Sequence, residues 1–504
     1  MIKSNGGIIG PDNVTTGGAF GRASGVFKLG EVTNLIKESK WPTAGPGGFQ
    51  VANSCRFNSA SSDNLQKTPS GDGNKKTFTI STWVKRSNIS SHKSIWSAGQ
   101  YQSTAMVQVF FESDDTIHVS QFNAGGGQQA RLTTNRLFRD VGAWYHIVAV
   151  WDTTQGTAAN RLKLYVNGVQ ETSFSTAAYP DQNDNTGANT NNIPITIGNR
   201  QGGSLFFSGY QSECVLLDGT AAAITDLGEF NSQTGIWLPK VVTGLTFGTN
   251  GYYLDFKDAS NLGNDANGGT DFTENNLTSL DQSTDTCTTN FTTWNSLNQQ
   301  SSISYSEGNT TFINSSGANR MAFSNFGVEK GKWYAELKVG AISNYTRLGI
   351  ADISFYIPVT NAYSTNLPNS ISYANDNPIY IGGSTQGNFG SFTTGDIISI
   401  AMDMDNGFCY FRKNADAWKN SGDPTSGSNG TGGFAIPNYT TKTYCFLGSS
   451  FDGGTDSTVL ANFGNPSYAI SSSTTDTNGF GNFEYEVPTG YFSLNTKNLA
   501  VVLA

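Results

Sequence analysis

The acidic residues of this 504-residue chain are the first candidates for chemistry, because cleavage of a glycosidic bond requires two carboxylates. A retaining mechanism needs them about 5–5.5 Å apart, which acids on alternating positions of one strand provide. The nearest approach is ESDDT (112–116), where Thr116 stands in place of the last acid and Ser-Asp-Asp is typical of a turn. Glu484 and Glu486 share a strand face, which we interpret as solvated. The sequence therefore predicts no catalytic residue.

The three histidines, His92, His118 and His146, are too scattered for a recognisable metal triad. His146 alternates with Tyr145 and Ile147 in a strand pattern, which indicates a structural histidine. A G-x-S-x-G motif is absent from the sequence, and GDGNKKT (71–77) lacks the spacing of a phosphate loop. We therefore predict neither a metal nor a cofactor.

The charge balance excludes further classes of partner. The net charge is −9, from 30 basic and 39 acidic residues, whereas a nucleic-acid-binding protein needs clustered cations. Apolar runs such as 147–151 fall far short of the ~20 residues that cross a bilayer, so no membrane insertion is expected. The first residues lack the apolar segment of a secretory signal.

The odd number of widely spaced cysteines predicts buried, reduced thiols in a protein assembled in a cytoplasm: Cys55, Cys214, Cys287, Cys409 and Cys445.

Nearly all of the hydrophobic pattern in the sequence predicts β-strands, which would position these residues. Residues 77–85 alternate apolar and polar side chains, as in a half-buried strand. Asn167-Gly168 between 162–166 and 169–174 predicts a hairpin, and Asp405-Asn406-Gly407 predicts another between 397–404 and 408–411. Helical periodicity is confined to 31–40 and 220–227.

Three units follow from this pattern. Short strands separated by frequent turns indicate an all-β protein of two antiparallel sandwiches, at 49–285 and 286–504, joined through a polar stretch at 266–300. Residues 1–48 have too little apolar material for a core of their own. We predict that this arm anchors the protein to a partner chain through the helix face Val32, Leu35 and Ile36 together with Trp41.

Both sandwiches resemble known families. FTISTWVKR (78–86), WYHIVAVWD (144–152), LKLYVNG (162–168) and ITIG (195–198) resemble, in order and spacing, the concanavalin A-like jelly rolls of the laminin-G type. The second sandwich resembles a SPRY domain; the motifs that carry this resemblance are GKWYAEL (331–337), LGIA (348–351), GDIISIAMDMDNG (395–407), NFG (462–464) and PTGY (488–491).

The Gly-rich strings GIIGP (7–11), GYYLDF (251–256) and LGND (262–265), joined to this domain pair, resemble structural proteins of tailed, marine-type bacteriophages. The resemblance implies a non-enzymatic virion protein, assembled in the host cytoplasm, that docks to tail or capsid proteins through its arm. A receptor-binding tail fibre is our first interpretation, and a head fibre or capsid decoration protein is the nearest variant. By analogy with fibres it would be a homo-oligomer, with a trimer favoured. A glycan depolymerase and a secreted adhesin are the alternatives from other classes.

The expected ligand is a host surface polysaccharide or protein. Sugar binding would use exposed aromatic faces, so the candidates are tyrosines and a tryptophan in predicted loops: Tyr363, Tyr373, Trp418, Tyr101 and Tyr179. The laminin-G resemblance also implies that a structural calcium ion could be held by loop oxygens such as those of DQNDN (181–185). Asn/Asp clusters are equally ordinary turn formers, and that alternative stays open.

Overall fold

The computed structural model describes residues 9–10, 25–26, 49–231, 235–297, 302–315, 319–342, 344–354, 367–451 and 456–502. The chain divides into two compact units between Thr288 and Thr289. Each unit is a sandwich of sheets whose strands pair antiparallel, apart from one short parallel pair in the C-terminal unit, so the predicted all-β class is confirmed. Among the described residues, no helix is long and apolar enough to cross a membrane.

The N-terminal unit contains two eight-stranded sheets. Its strands are β1 (Ile9–Gly10), β2 (Gly25–Val26), β3 (Ser54–Phe57), β4 (Asn64–Lys67), β5 (Thr77–Arg86), β6 (Lys93–Ala98), β7 (Met106–Phe111), β8 (Ile117–Phe122), β9 (Gln128–Thr134), β10 (Trp144–Asp152), β11 (Leu162–Val166), β12 (Val169–Gln170), β13 (Phe174–Ala178), β14 (Ile195–Ile197), β15 (Gly209–Asp218), β16 (Gly228–Phe230), β17 (Trp237–Pro239), β18 (Tyr252–Leu254), β19 (Thr273–Asn275) and β20 (Gln282–Ser283). One sheet has the order β12-β11-β10-β5-β15-β3-β20, with β18 also paired to β15, and the other β13-β9-β8-β7-β6-β14-β4-β19. Strands β1 and β2 pair with each other, as do β16 and β17. Helix α1 is one turn, Ile224–Leu227.

The C-terminal unit contains an eight-stranded and a six-stranded sheet. Its strands are β21 (Ile303–Ser306), β22 (Thr311–Asn314), β23 (Asn319–Phe323), β24 (Lys332–Ala341), β25 (Tyr345–Asp352), β26 (Ser370–Ala374), β27 (Pro378–Ile381), β28 (Ser384–Asn388), β29 (Ile397–Asp403), β30 (Phe408–Lys413), β31 (Phe434–Ala435), β32 (Tyr444–Phe451), β33 (Ser457–Asn462) and β34 (Phe492–Ser493). The orders are β21-β22-β33-β24-β29-β30-β31, with β34 parallel to β24, and β23-β32-β25-β26-β27-β28. Helix α2 (Thr496–Val502) follows the last strand.

The predicted strands and hairpins are largely confirmed. Residues 77–85 fall within β5, and β11 and β12 pair across Asn167-Gly168, both at positive φ (50° and 79°) as a type I′ turn requires. A Cβ at Gly168 would overlap the Trp237 ring, so only glycine fits. The second predicted hairpin is β29–β30.

Three predictions about elements and burial need correction. Phe174 lies in β13, which pairs with β9 in the opposite sheet, so the predicted strand at 169–174 ends early. The helix predicted at 220–227 is limited to α1. Four cysteines are buried as predicted, but Cys287 is only half-buried. The helix predicted at 31–40 lies outside the described residues.

The polar stretch after β19 is tied to the first sandwich by a buried ion pair. Asp285 lies 2.7 Å from Lys85 Nζ and accepts a hydrogen bond from Trp144 Nε1 at 3.1 Å. Both charged side chains are almost fully buried. Removing either partner would leave an unpaired buried charge, which is strongly destabilising.

The outer face of the β5–β10 sheet is buried as well as its inner face. Strand β10 sends Tyr145, Ile147, Ala149 and Trp151 into the core between the sheets. His146, on the other face, stacks between the rings of Trp83 (centroids 4.6 Å apart) and Trp237 (6.1 Å). The indole N–H of Trp237 donates to His146 Nδ1 at 2.9 Å, so the imidazole proton is on Nε2, 2.8 Å from Ser81 Oγ. The predicted structural role of His146 is therefore confirmed.

His146 makes the stability of this unit depend on pH. Burial lowers the pKa of His146 to about 3, whereas an unfolded histidine titrates near 6.5. Between these two pKa values the unfolded chain binds more protons than the folded chain. The contribution of His146 to the free energy of unfolding is therefore complete above pH 6.5 and falls as the pH drops. From pH 7.5 to pH 5 we expect a loss of ~2 kcal/mol at 1.36 kcal/mol per pH unit. Calorimetric unfolding of wild type and His146→Gln checks this, and an unchanged pH slope in the variant would contradict it.

Candidate functional site

A cleft of about 390 Å³ opens on the outer face of the second sheet of the N-terminal sandwich. Strands β6, β7 and β8 are neighbours in this sheet, and residues next to the ends of β6 and β7 and in the segment that follows β14 complete the walls. The lining residues are His92, Tyr101, Met106, Gln108, Phe110, Glu112, His118, Phe122, Arg200 and Leu205.

Strand alternation places the floor of the cleft. Val107, Val109 and Phe111 of β7 enter the core between the sheets, so Gln108 and Phe110 point to the opposite face. Their partners in the antiparallel register continue this face: Phe110 is opposite His118, Gln108 opposite Ser120 and Met106 opposite Phe122. Gln108, Phe110 and His118 are nevertheless at most 4% exposed.

A carboxylate between two imidazoles forms one end of the cleft. Glu112 Oε1 lies 2.9 Å from His118 Nδ1, and Glu112 Oε2 lies 2.9 Å from His92 Nδ1. Arg131, on β9, is 3.8 Å from Oε1. The hydrogen bond with His118 lowers the pKa of Glu112, which therefore stays a carboxylate. Burial lowers the pKa of His118 and outweighs the raising effect of Glu112.

This arrangement fixes the hydrogen-bonding character of His118. An ionised carboxylate only accepts, so Nδ1 carries the proton and Nε2 of the neutral ring is an acceptor. Nε2 is buried and has no hydrogen-bond partner among the described residues. Gln108 presents a similar case: its Nε2 donates to Ser120 Oγ at 3.1 Å, while its Oε1 has no partner in the described part of the chain.

Aromatic rings surround these polar atoms. The Phe110 ring lies 4.5 Å from His118 and 6.3 Å from His92, centroid to centroid. At the rim, Tyr101 packs edge-on against Phe122 at 5.1 Å and keeps 37% of its surface exposed. Apolar walls with a few oriented polar groups are typical of small-ligand sites.

The loop that follows β14 lines the cleft through Arg200 and Leu205 and is folded by hydrogen bonds. Arg200 and Ser204 form a β-bridge, and Arg200 Nε donates to Ser204 Oγ at 3.1 Å. Leu205 is at φ 56°, a conformation that costs a bulky residue energy, and its carbonyl accepts from Ser94 N–H at 2.8 Å. Arg200 is half-buried and lines the cleft.

Only one of the five predicted ligand-binding residues lines this cleft. Tyr101 lies at the rim, whereas Tyr179 is half-buried against the core of the same sandwich. Trp418, in the second sandwich, is half-buried under the Arg412 guanidinium, 4.7 Å from its ring centroid. Tyr363 and the predicted anchor residues Val32, Leu35, Ile36 and Trp41 lie outside the described residues.

The prediction that Tyr373 offers an exposed ring is wrong. Tyr373 is in β26, not in a loop, and it is fully buried in the core of the second sandwich. Its ring packs edge-on against Phe392 at 5.2 Å, and its hydroxyl donates to the Phe389 carbonyl at 3.2 Å. The flanking Ser and Asn residues resemble a loop, but strand alternation turns this side chain inward.

Sequence reasoning missed the role of Glu112, His92 and His118. The turn interpretation of 112–116 is confirmed, because Asp115 N–H donates to the Glu112 carbonyl at 3.0 Å and Asp114 accepts from Thr116. That turn nevertheless brings the ends of β7 and β8 together, which places Glu112 beside His118. The signal available in the sequence was that Glu112 and His118 stand at the two sides of this turn, where paired strands bring side chains together.

The segment 181–185, where calcium was considered, is folded by protein hydrogen bonds. Asp184 accepts from Gln121 Nε2 at 2.6 Å, and Asn183 N–H donates to the Thr153 carbonyl at 2.8 Å. Among the described residues, no cluster of three or more His, Cys, Asp or Glu side chains could hold a metal ion. Calcium at this segment stays a prediction.

A family model matches part of the N-terminal sandwich. Residues 59–221 match the family model of the concanavalin A-like lectin/glucanases superfamily. The chain is similar to the SPRY domain of human HERC1, with 16% identity and a TM-score of 0.27 over 33% of this chain and 96% of that one. It is also similar to a candidate carbohydrate-binding protein from Bacteroides ovatus, with 19% identity and a TM-score of 0.30 over 45% of this chain and 59% of that one. A further similar structure is a heptameric SAP-like pentraxin from Limulus polyphemus, with 15% identity and a TM-score of 0.28 over 41% of this chain and 94% of that one. No curated protein matches.

Proposed function

We propose that this protein binds a glycan in the cleft of its N-terminal sandwich without cleaving it. The observation that carries this proposal is the mixed lining of the cleft, where aromatic rings lie beside the polar side chains of Gln108, Glu112 and Arg200. The exposed Tyr101 ring beside Phe122 supplies an apolar surface on which a sugar face can stack.

Cleavage is disfavoured by the number of carboxylates. Hydrolysis of a glycoside needs a pair, about 5–5.5 Å apart for retention or about 6.5–9.5 Å apart for inversion. Glu112 is the one carboxylate among the described lining residues, and both of its oxygens are engaged by imidazoles. Residues 59–221 match the model of a superfamily that includes both lectins and glucanases, and we therefore interpret this match in favour of a lectin.

We further propose that the protein is a structural component of a tailed bacteriophage particle, as a receptor-binding tail fibre assembled in the host cytoplasm. Support comes from the resemblance of 7–11, 251–256 and 262–265 to such proteins. Residues 1–48 would attach it to neighbouring virion proteins, homo-oligomerisation would multiply weak glycan contacts, and the host surface polysaccharide would be the receptor.

Tyr101→Ala tests the glycan site. Because the ring provides a stacking surface, we expect its removal to weaken binding about tenfold, equivalent to ~1.4 kcal/mol. The measurement is titration calorimetry with the best binder from an array of neutral and acidic oligosaccharides. Tyr345→Ala is the matched control, since Tyr345 is also 37% exposed but lies in the other sandwich. Equal losses in the two variants, or no binder on the array, would count against the site.

The same purified protein should leave host surface polysaccharide intact. With one carboxylate in the cleft we expect no increase in reducing ends after prolonged incubation. Release of reducing ends that Glu112→Gln abolishes would instead identify a depolymerase and overturn the non-enzymatic part of the proposal.

Deletion of residues 1–48 tests the virion proposal. We expect a soluble protein with an unchanged β-type circular dichroism spectrum that no longer joins particles, because the sandwiches have their own cores. Particles assembled with each form are examined by immunolabelling. Incorporation of the truncated protein would refute arm-mediated attachment, and labelling of the full-length protein on the head would refute the tail-fibre assignment.

A further inference from the structure

The buried pair of Lys85 and Asp285 joins strand β5, in the middle of its sheet, to the segment that follows β20. Lys85 Nζ lies 2.7 Å from Asp285 Oδ2, and the two side chains are 1% and 0% exposed. The two residues are 200 positions apart in the chain. The fold therefore brings a primary amine and a carboxyl group into contact at a place from which water is excluded.

Aromatic side chains of the neighbouring strands enclose the amine. In the antiparallel register, Trp144 of β10 is opposite Lys85 on one side and Tyr210 of β15 is opposite it on the other. The Tyr210 ring centroid lies 5.6 Å from Lys85 Nζ, and both rings belong to one buried aromatic cluster. Two opposite charges are costly in such surroundings, and transfer of one proton along the 2.7 Å contact neutralises both.

The carboxyl group is held in one orientation. Trp144 Nε1 donates to Asp285 Oδ1 at 3.1 Å, while the amine lies against the other oxygen, Oδ2. The Asp285 backbone is fixed as well, because its N–H donates to Ser283 Oγ at 3.1 Å and its carbonyl accepts from Ser54 Oγ at 2.6 Å. Groups that are held together in this way react as if each were present at very high concentration.

We propose that Lys85 and Asp285 condense to an intramolecular amide, a covalent cross-link that the protein makes after it has folded. A proton passes from the ammonium group to Oδ2, and the Nζ lone pair then attacks Cγ. The N–Cγ bond forms, the Cγ–Oδ2 bond breaks, and Oδ2 leaves as water with a second proton from the amine. One amine and one carboxylic acid thus give one amide and one water, with no oxidant or reductant.

The indole N–H of Trp144 has a place in this reaction. Negative charge develops on Oδ1 when the amine attacks, and the Trp144 donor already lies on that oxygen. A fixed donor in a dry site stabilises such a charge. The exclusion of water also protects the finished amide from hydrolysis.

The comparable pair in the same sandwich lacks two of these conditions. Lys67 Nζ lies 3.4 Å from Asp265 Oδ2, and the lysine side chain is 9% exposed. Asp265 Oδ1 accepts the backbone N–H groups of Tyr253 at 3.0 Å and Asn267 at 3.1 Å, which favour the ionised carboxylate. We therefore expect Lys67 and Asp265 to remain an ion pair.

The amide would stabilise the N-terminal sandwich under load. Asp285 lies close to the end of this unit at Thr288, so force applied through the following chain would reach β5 through the cross-link instead of pulling β20 from β3. Residues 86–284 would be enclosed in a covalent loop, which restricts the unfolded chain as a disulfide does.

Mass spectrometry of the denatured full chain tests the bond directly. We expect a mass that is lower than the sequence mass by one water molecule. Trypsin should not cleave after Lys85, so peptide 77–86 should be recovered joined to peptide 258–320, and fragmentation should place the link at Asp285. Separate, unmodified peptides 77–85 and 258–320 would overturn the proposal, as would a link from 258–320 to the peptide that contains Lys67.

Matched variants test the assignment to Lys85. Lys85→Arg keeps the positive charge but removes the primary amine, so we expect its full sequence mass. Lys332→Arg is the control, because Lys332 lies 3.1 Å from Asp403 in the other sandwich and is 22% exposed. This control should lose one water, as the wild type does. Water loss that persists in Lys85→Arg, or that disappears in Lys332→Arg, would place the modification elsewhere and refute the assignment.

Single-molecule stretching provides a readout that does not require the variant to fold. The amide prevents the chain between its two ends from extending. The fully stretched wild-type chain should therefore be shorter than that of Lys85→Arg by the length of 200 residues, at roughly 3.4 Å per residue. Equal stretched lengths would show that the wild type carries no cross-link and would overturn the proposal.

Discussion

Side chains at neighbouring positions of a strand point to opposite faces of the sheet, and the cleft exists because of this constraint. On β7, Val107, Val109 and Phe111 fill the core of the sandwich. The same geometry obliges Met106, Gln108 and Phe110 to face outward, where the cleft lies. A shift of β7 by one residue would exchange the two sets and destroy core and cleft together. The β7 residues of the candidate site are therefore placed by the same strand register as the core.

Side chains on the outer faces of the two sheets of the N-terminal sandwich are buried in different ways. Against β5 and β10, the Trp237 side chain covers His146, and both ring nitrogens find protein partners. Against β7 and β8, the side chains around His118 leave a cleft, and one ring nitrogen stays without a partner in the described chain. The first imidazole is thus fully hydrogen-bonded within the protein, whereas the second packs beside the cleft with one of its nitrogens buried.

Local patterns in the sequence predicted the strands, since alternation and Asn-Gly turns are properties of a few consecutive residues. They located β5, the β11–β12 hairpin and the β29–β30 hairpin. They could not predict which outer faces become buried, because that depends on contacts between residues far apart in the chain. His92 and His118 therefore looked scattered although both contact Glu112. Tyr373 was mistaken for a different reason: the Ser and Asn residues around it resemble a loop, although they belong to a strand whose alternation turns the ring into the core against Phe392 and Phe411.

A buried carboxylate in the second sandwich shows why partners matter more than burial when a site is assigned. Glu336 is fully buried on β24, yet its Oε1 accepts from Tyr334 Oη and Tyr485 N–H, and its Oε2 from Asn462 Nδ2 and Glu484 N–H. These four donors satisfy both oxygens and fix the chain segment that contains Glu484 and Tyr485 to the sandwich. A ligand has nothing to gain from such a group. The candidate site is assigned to the first sandwich because a cleft with the exposed Tyr101 ring at its rim lies there.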